Sequence, residues 1–390
     1  MNRRLILIAC FLTVFTAYAI RYGYGVLLPK MLDSLDITKA EAGVIYSSFF
    51  IAYTVSSPIL GFLGDRWNAR WLISSFVAVL GIGAFLMSYT SSILSASLFY
   101  TLAGIGSSAC WAPVMALSQR WTGRQSIGRT LAIIDIGSAL SLIVTGAVMP
   151  QVAASDWRTG WLYLGALGFL AAALDFLVLR DRPAELQNED KIEKKPRPSA
   201  KTTLISLFRD SRFWLLGMAY LLTGFAILIP FTFLSTYAAQ ELNFSYDVAA
   251  NLLTAIGIGA IISKVGFGYL SDRIGRLRVM MLCAALIACG SLGMVFSGGI
   301  WLFATSVVFS LGYGVVWAMY AAAASDYFSG ESAGTIVGLW TMLLGIGSIF
   351  APIASGWLAD ITGNLAWSFS LSAGAGVISF LLLIPVMRRR

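Results

Sequence analysis

The sequence predicts an all-α integral membrane protein in which twelve transmembrane helices form two six-helix bundles joined by a polar linker. Three observations support this fold class. The 390 residues are 58% hydrophobic and 12% charged, which is about half the charged fraction of a soluble domain. The apolar residues form twelve runs of membrane-spanning length. One charged stretch divides these runs into six and six.

Each apolar run has roughly the 20 residues that a helix needs to cross the hydrocarbon core of a bilayer. We place the runs at 6–29, 43–64, 71–89, 93–117, 131–151, 160–179, 213–239, 248–271, 279–297, 301–324, 333–358 and 366–387. The strands of an outer-membrane barrel would instead alternate apolar and polar residues in short segments. The continuous apolar runs therefore favour helices.

The positive charges predict the orientation of these helices. With a cytoplasmic N-terminus, 22 of the 27 lysines and arginines lie in cytoplasmic segments, and the outer loops hold two, Lys39 and Arg158. An excess of lysine and arginine marks the cytoplasmic side of a membrane protein. We therefore expect a multi-pass protein of the cell inner (cytoplasmic) membrane with both termini in the cytoplasm.

The polar stretch between the sixth and seventh runs predicts the domain boundaries. Its low hydrophobicity and its prolines are typical of a solvated linker on the cytoplasmic side. We assign an N-terminal six-helix bundle to residues 1–180, the linker to 181–211, and a C-terminal six-helix bundle to 212–390.

An internal repeat supports this division. Residues 61–70 and 268–276 each follow the second span of their half, and each contains Gly-x-Leu-x-Asp-Arg. Their aspartates, Asp65 and Asp272, are 207 residues apart. Parallel repeats of this kind occur in transporters, where the substrate binds near the membrane midplane between the halves.

The two loops resemble the Gly-x-Leu-x-Asp-Arg-x-Gly-Arg signature of the major facilitator superfamily. The second copy matches fully, and the first departs from it at 68–69. The resemblance covers essentially the whole chain and implies a carrier that works by alternating access. It also implies that Asp65 with Arg66, and Asp272 with Arg273, lock the cytoplasmic helix ends in the outward-open state. The alternative is that these charges only determine topology.

Further stretches resemble the branch that contains monocarboxylate transporters and bacterial oxalate:formate antiporters. They are 104–113 with 120–121, 213–231 and 257–266. The branch implies a secondary carrier of a small organic anion, in first place a monocarboxylate, working by proton symport or anion exchange. Members commonly have a substrate-binding arginine where this chain has Lys264, which lacks the bidentate fork of a guanidinium. The alternative is a proton-coupled exporter of drugs or cations.

Ionisable residues inside the spans point to an anion independently of the resemblance. Arg21 lies near the middle of the first span, while Lys264 in the eighth and Asp135 in the fifth lie at a similar depth. Two deep cations against one anion leave positive charge that a negatively charged ligand would offset. We expect Arg21 and Lys264 to bind substrate. The alternative is that each one pairs with a neighbouring helix or carbonyl.

The equal depth of Asp135 and Lys264 predicts an ion pair that closes the cytoplasmic side in one state and breaks in the other. As the deep carboxylate of a chain without histidine, Asp135 is also the candidate to carry a coupling proton. A static bridge is the alternative. We expect Lys30, Asp175 and Asp326 to reach the headgroups from the span ends.

Aromatic residues within the spans are the remaining candidates for substrate contacts. Tyr313, Trp317 and Tyr320 are spaced i, i+4, i+7, which predicts one helix face. Trp111 and Tyr320 are favoured because each lies mid-span beside small residues, and we add Tyr24 and Trp317. A tyrosine hydroxyl or an indole N–H facing a cavity can donate to a carboxylate. Ordinary packing is the alternative.

The composition also argues against other classes of protein. The chain has no histidine, so no serine–histidine protease is possible, and its four cysteines lie in apolar runs rather than in a disulfide or zinc pattern. It contains no glycine-rich nucleotide loop ending in Lys-Ser/Thr. We expect no enzyme activity, cofactor, metal or nucleic-acid partner, and a functional monomer. A non-transporting sensor on a carrier scaffold is a further alternative.

Overall fold

A computed structural model of the chain describes residues 3–64, 67–122, 126–181, 207–328 and 333–388. These residues contain 12 helical segments that are long and apolar enough to cross a membrane, which confirms the predicted number of spans. Each segment overlaps its predicted run, and the ends differ by a few residues. Most of the predicted linker lies outside the described residues.

In the residues that the structure describes, the six spans of each half comprise seven helices, because one span is divided in two. The first half contains α1 (Arg3–Leu35), α2 (Lys39–Gly64), α3 (Ala69–Met87), α4 (Ile93–Ser107), α5 (Ala112–Arg120), α6 (Ile127–Val152) and α7 (Trp157–Val178). The second half contains α8 (Ser211–Thr236), α9 (Tyr246–Ile274), α10 (Arg276–Phe296), α11 (Ile300–Tyr313), α12 (Val316–Tyr327), α13 (Ala333–Thr362) and α14 (Ala366–Arg388). A π-helical turn, Tyr237–Glu241, extends α8.

The divided span is the fourth of each half. In the first half α4 ends at Ser107 and α5 begins at Ala112, with Pro113 in its first turn. Proline suits this position because its fixed φ is helical and the N–H that it lacks would have no partner there. In the second half α11 ends at Tyr313 and α12 begins at Val316. The matching interruptions support the internal repeat.

Three helix pairs make the most extensive contacts between the two halves within the described ranges: α1 with α8, α2 with α13, and α6 with α9. The second helix of each half thus packs against the fifth span of the other half, as a two-fold repeat requires. Glycines allow the backbones to approach closely. A Cβ on Gly25 would lie 2.0 Å from the carbonyl oxygen of Phe231, and one on Gly43 would lie 2.2 Å from that of Pro352.

Polar contacts also join the halves at the far end of the bundle, which we define as the end opposite the linker. The ammonium group of Lys39 lies 2.8 Å from the carboxylate of Glu241. The carboxylate of Asp360 accepts hydrogen bonds from the backbone N–H groups of residues 39 and 40, which are otherwise unpaired at the start of α2. We call Lys39, Glu241 and Asp360 the far-end cluster.

Candidate functional site

Arg21 is the charged residue buried at the centre of the first half. It lies on α1 and is 8% exposed. Its guanidinium carbon lies 4.4 Å from the centre of the Phe50 ring, 5.4 Å from that of Tyr18 and 5.8 Å from that of Tyr22. Aromatic faces carry negative potential and so stabilise a cation within about 6 Å. This contact compensates part of the cost of burying the charge.

No carboxylate lies within ion-pair distance of Arg21 in the part of the chain that the structure describes. Its Nε–H is buried and has no hydrogen-bond partner there. An unpaired buried charge is costly, and so is an unsatisfied buried donor. The guanidinium can therefore bind a planar anion, such as a carboxylate, by donating two parallel hydrogen bonds to it.

A small cavity adjoins Arg21 on the inner side of the first half. Its lining consists of Ala17, Tyr18, Arg21, Tyr53, Ser107, Cys110 and Trp111. Trp111 lies at the interruption between α4 and α5, at the residue that precedes the first turn of α5. A helix N-terminus carries partial positive charge, which adds to the field of Arg21. Both features favour a negatively charged group in the cavity, and the structure places two predicted site residues, Arg21 and Trp111, around it.

A tyrosine pair connects the neighbourhood of Arg21 to the second half. The hydroxyls of Tyr22 on α1 and Tyr313 on α11 are hydrogen-bonded at 2.6 Å. The ring of Trp317 packs edge-on against Tyr313, with ring centres 5.3 Å apart. Trp317 therefore lies behind Tyr313 and outside the lining of the Arg21 cavity.

Lys264 on α9 forms an ion pair with Asp135 on α6, across the boundary between the halves. Their side chains are 11% and 28% exposed. The equal depth predicted from the sequence therefore corresponds to a contact. The charge of Lys264 is balanced by this carboxylate, so the two deep cations are not equivalent. Arg21 is the one that lacks an anionic partner among the described residues.

Asp175 contradicts its predicted place at the membrane surface. It is 1% exposed, and both of its carboxylate oxygens contact the hydroxyl of Thr13, at 2.9 and 2.8 Å. The sequence placed it near the end of the sixth span, where a side chain can reach the headgroups. The structure turns it inward against α1 instead. Asp135 is thus not the only deep carboxylate.

Two predicted aromatic contacts lie away from the cavity. The hydroxyl of Tyr24 donates to the carbonyl of Ala42 at 2.7 Å, and its ring packs against those of both Tyr46 and Tyr100. Tyr320 stacks on Tyr220 with ring centres 4.0 Å apart, and it lines a separate small cavity in the second half.

The predicted common face of Tyr313, Trp317 and Tyr320 is also wrong. The helix stops at Tyr313 and a new one begins at Val316, so the i, i+4, i+7 spacing does not describe one continuous face. Gly314 lies at the interruption, where a Cβ would come within 2.5 Å of the carbonyl oxygen of Ala260.

The loop charges are only partly described. Asp65 and Arg66 lie outside the described residues. Asp272 is exposed, and Arg273 contacts the ring and hydroxyl of Tyr269 on its own helix. The ion pair of the second loop is instead made by Arg276 and Asp326, at 3.2 Å. Asp326, which the sequence assigned to the headgroups, is thus the acidic partner of Arg276 in this loop. The lock formed by Asp272 and Arg273 stays a prediction.

The sequence of the chain matches a known protein family along most of its length. Residues 10–263 and 219–390 match the sequence profile of the Major Facilitator Superfamily. The chain belongs to the major facilitator superfamily. Membership in the superfamily confirms the predicted fold, and with it a multi-pass membrane transporter of small substrates.

Major facilitator relatives match over nearly the whole chain. The hexuronate transporter of Bacillus subtilis is 21% identical over 98% of this chain and 94% of its own length. The probable sulfoacetate transporter of Cupriavidus necator is 25% identical over 99% and 95%. Monocarboxylate transporter 11 of Homo sapiens is 24% identical over 91% and 77%, which confirms the resemblance to that branch.

A solved major facilitator structure confirms the architecture. The crystal structure of a mutant of the nucleoside transporter NupG superposes with a TM-score of 0.81 at 15% identity, over 97% of this chain and 99% of that one. At this identity the likeness establishes the fold alone. The chemistry of the cavity must be read from the residues of this chain.

Proposed function

We propose that the protein is a secondary active transporter of a small organic anion, moved by alternating access as proton symport or anion exchange. One observation carries the proposal: Arg21 is buried beside a cavity and has no carboxylate partner among the described residues. A substrate carboxylate would supply the missing negative charge and the missing acceptor for Nε–H. A monocarboxylate is the simplest such substrate.

The names of the relatives agree with this charge. Hexuronates, sulfoacetate and monocarboxylates are all carboxylate anions, and relatives named for them match along the chain. The three differ in what is attached to the carboxylate. The shared group therefore fits Arg21, while the rest of the cavity sets which anion is preferred.

Lys264 has a different role in this proposal. Because its charge is balanced by Asp135, it acts in the contact between α6 and α9 rather than as the primary anion site. We propose that the pair is a gate that weakens when the substrate binds. A disulfide between Asp135→Cys and Lys264→Cys should then form at a substrate-dependent rate, and a rate indifferent to substrate would count against a gate.

The orientation remains as the charge distribution predicts. We propose that the linker and both termini face the cytoplasm in the inner membrane, so that the far-end cluster lies on the outer side. Membrane-impermeant labelling of single cysteines, one at Ser91 in the far-end loop after α3 and one at Arg278 near the linker end, tests the assignment.

The proposal is tested by ligand binding and uptake. Purified protein is screened by thermal shift against lactate, glucuronate, sulfoacetate and the organic cation ethidium, because a ligand of the folded state raises the unfolding temperature. We expect stabilisation by a carboxylate. Stabilisation by ethidium alone would favour the cation exporter instead.

Arg21 is then varied in proteoliposomes that take up the stabilising anion. Arg21→Gln should lower its affinity by about 10- to 100-fold, the usual cost of losing a charge-assisted hydrogen bond. Arg21→Lys keeps the charge but loses the two-point geometry and should be intermediate. Arg278→Gln, at an exposed arginine near the linker end of α10, is the matched control. Equal uptake by all variants would refute the assignment.

A further inference from the structure

Asp175 is a second buried ionisable group of the first half without an ion-pair partner among the described residues. It lies in the last turn of α7, is 1% exposed, and has no cation within ion-pair distance in the described ranges. Its hydrogen-bond partner is the hydroxyl of Thr13 on α1. An ionised carboxylate in such a place is costly, whereas a protonated one is neutral.

A protonated Asp175 allows one more hydrogen bond around Thr13 than an ionised Asp175 does. The Thr13 oxygen lies 2.9 Å from the carbonyl of Ala9 and within 2.9 Å of both oxygens of Asp175. A hydroxyl has a single proton, which can serve only one of these acceptors at a time. If Asp175 is protonated, its O–H donates to Thr13, and the Thr13 O–H donates to Ala9. Two of the three short contacts are then hydrogen bonds, whereas an ionised Asp175 allows one.

The charged and titratable groups on the surrounding elements do not replace that proton. They include Cys10 on α1, Arg70 on α3, Cys110 at the α4–α5 interruption, Arg120 on α5 and Arg129 on α6. The guanidinium of Arg70 lies over the ring of Phe176, 4.1 Å from its centre, and Arg120 pairs with Asp181 at 2.9 Å. Arg129 is exposed. None of them reaches Asp175 within ion-pair distance.

Asp175 is close to the Arg21 cavity. Its partner Thr13 lies one helical turn before Ala17, which lines the cavity. Arg21 follows Thr13 by eight residues, a rise of about 12 Å along α1. Unit charges separated by a distance of that order, at an effective dielectric constant of about 20, change each other's binding by about tenfold. A negative charge on Asp175 therefore opposes an anion at Arg21, and a proton on Asp175 favours it.

We propose that Asp175 binds the coupling proton and that this proton and the anion at Arg21 bind cooperatively. The inference rests on the proposed function and names its coupling site. It moves the proton from Asp135, which the sequence favoured, because Asp135 is engaged by Lys264. By linkage, the anion must strengthen proton binding by the same factor by which the proton strengthens anion binding.

The experiment measures proton uptake when the anion binds. Full-length purified protein in weakly buffered detergent solution, with a pH indicator dye, is mixed with whichever of sodium glucuronate, sodium sulfoacetate and sodium lactate stabilises it most. We expect wild type to take up protons, and its anion affinity to rise about tenfold from the alkaline to the acidic side of neutrality. Asp175→Asn mimics the protonated form, so it should bind the anion without proton uptake and without pH dependence.

Two matched variants and a spectroscopic readout complete the test. Asp156→Asn, at an exposed aspartate of the far end, should behave as wild type. Asp135→Asn alters the gate and can change stability and anion affinity, but it should still take up protons when the anion binds. Infrared spectra should contain a protonated carboxyl band that Asp175→Asn removes. If that variant does not fold, Thr13→Val serves instead, because loss of the hydroxyl shifts the band only when Asp175 carries the proton.

The outcomes separate the two proposals. Anion binding with wild-type proton uptake in Asp175→Asn overturns the inference and leaves the proposed function intact. Loss of proton uptake in Asp135→Asn would also overturn it. If none of the three anions stabilises wild type, the proposed function fails, and the inference fails with it.

Discussion

Lys264 on α9 and Asp135 on α6 form an ion pair that joins the two halves of the protein. The pair lies on one of the three most extensive helix contacts between the halves, and its side chains are 11% and 28% exposed. Water therefore screens it only in part. Because a carrier must separate such contacts during its cycle, the strength of this pair bears on both stability and transport.

Removal of either partner should destabilise the protein. Lys264→Gln or Asp135→Asn should each cost about 1–3 kcal/mol, less than the roughly 3–5 kcal/mol of a fully buried pair. The double variant should cost less than the sum, because no charge is left unpaired. The free energy of unfolding is measured in detergent for wild type, the two single variants and the double variant. The same cycle on Arg276 and Asp326, which pair within the second half, is the control. Strict additivity for Asp135 and Lys264 would contradict a direct interaction.

Gly25 should tolerate no side chain. A Cβ there would lie 2.0 Å from the backbone oxygen of Phe231, so Gly25→Ala must push α1 away from α8. We expect a loss of about 1–3 kcal/mol from overpacking. Gly374→Ala in α14 is the matched control, because nothing lies within 4 Å of its added Cβ and alanine favours a helix. If the two variants unfold at the same temperature, the close approach of Gly25 to Phe231 does not contribute to stability.

The far-end cluster should hold that end of the bundle closed. Glu241 binds the ammonium group of Lys39 at 2.8 Å and accepts the backbone N–H of Leu365 at 2.9 Å. Glu241→Gln weakens both contacts and should increase the labelling rate of a cysteine at Ser47, which is buried on α2. The labelling reagent is a membrane-impermeant maleimide, used in a background without the native cysteines. Asp156→Asn, also at the far end but within one half, should leave the rate unchanged.

Phe50 should contribute to anion binding through Arg21. Phe50→Leu removes the ring that lies 4.4 Å from the guanidinium carbon, a contact worth about 0.5–1 kcal/mol. We expect anion affinity to fall about two- to fivefold. Phe49→Leu is the matched control. It makes the same change at the adjacent residue, whose ring packs against Tyr100 and not against the arginine. If both variants lower affinity equally, packing rather than a cation–π contact explains the effect.

The sequence predicted the spans and their number well because lipid imposes a strict condition on every span. A membrane helix must satisfy its own backbone and remain apolar for its full length, so length and composition alone reveal it. The interruptions of the fourth and tenth spans escaped this reading. Residues 107–112 and 313–316 contain no charged side chain, so a search for long apolar runs passes over them.

The candidate site was predicted in part for a related reason. Arg21 and the Lys264–Asp135 pair stood out because a charge inside an apolar run is rare and costly. Asp175 was misplaced because position along a helix does not state which way a side chain faces, and it points to Thr13 rather than to the lipid surface. The structure places Tyr24 in the packed core and Tyr320 at a separate cavity, because an aromatic in an apolar run fits either environment.

What the sequence determined by itself is the number of spans and the repeat that relates the two halves, and its charge distribution predicts their orientation. These properties depend on the polarity and charge of residues that are close together in the sequence, and so they can be recognised along the chain. The tertiary structure alone decided which deep charges are balanced. Whether Lys264 or Arg21 lacks a partner depends on distances between helices far apart in the chain, and no local pattern contains those distances.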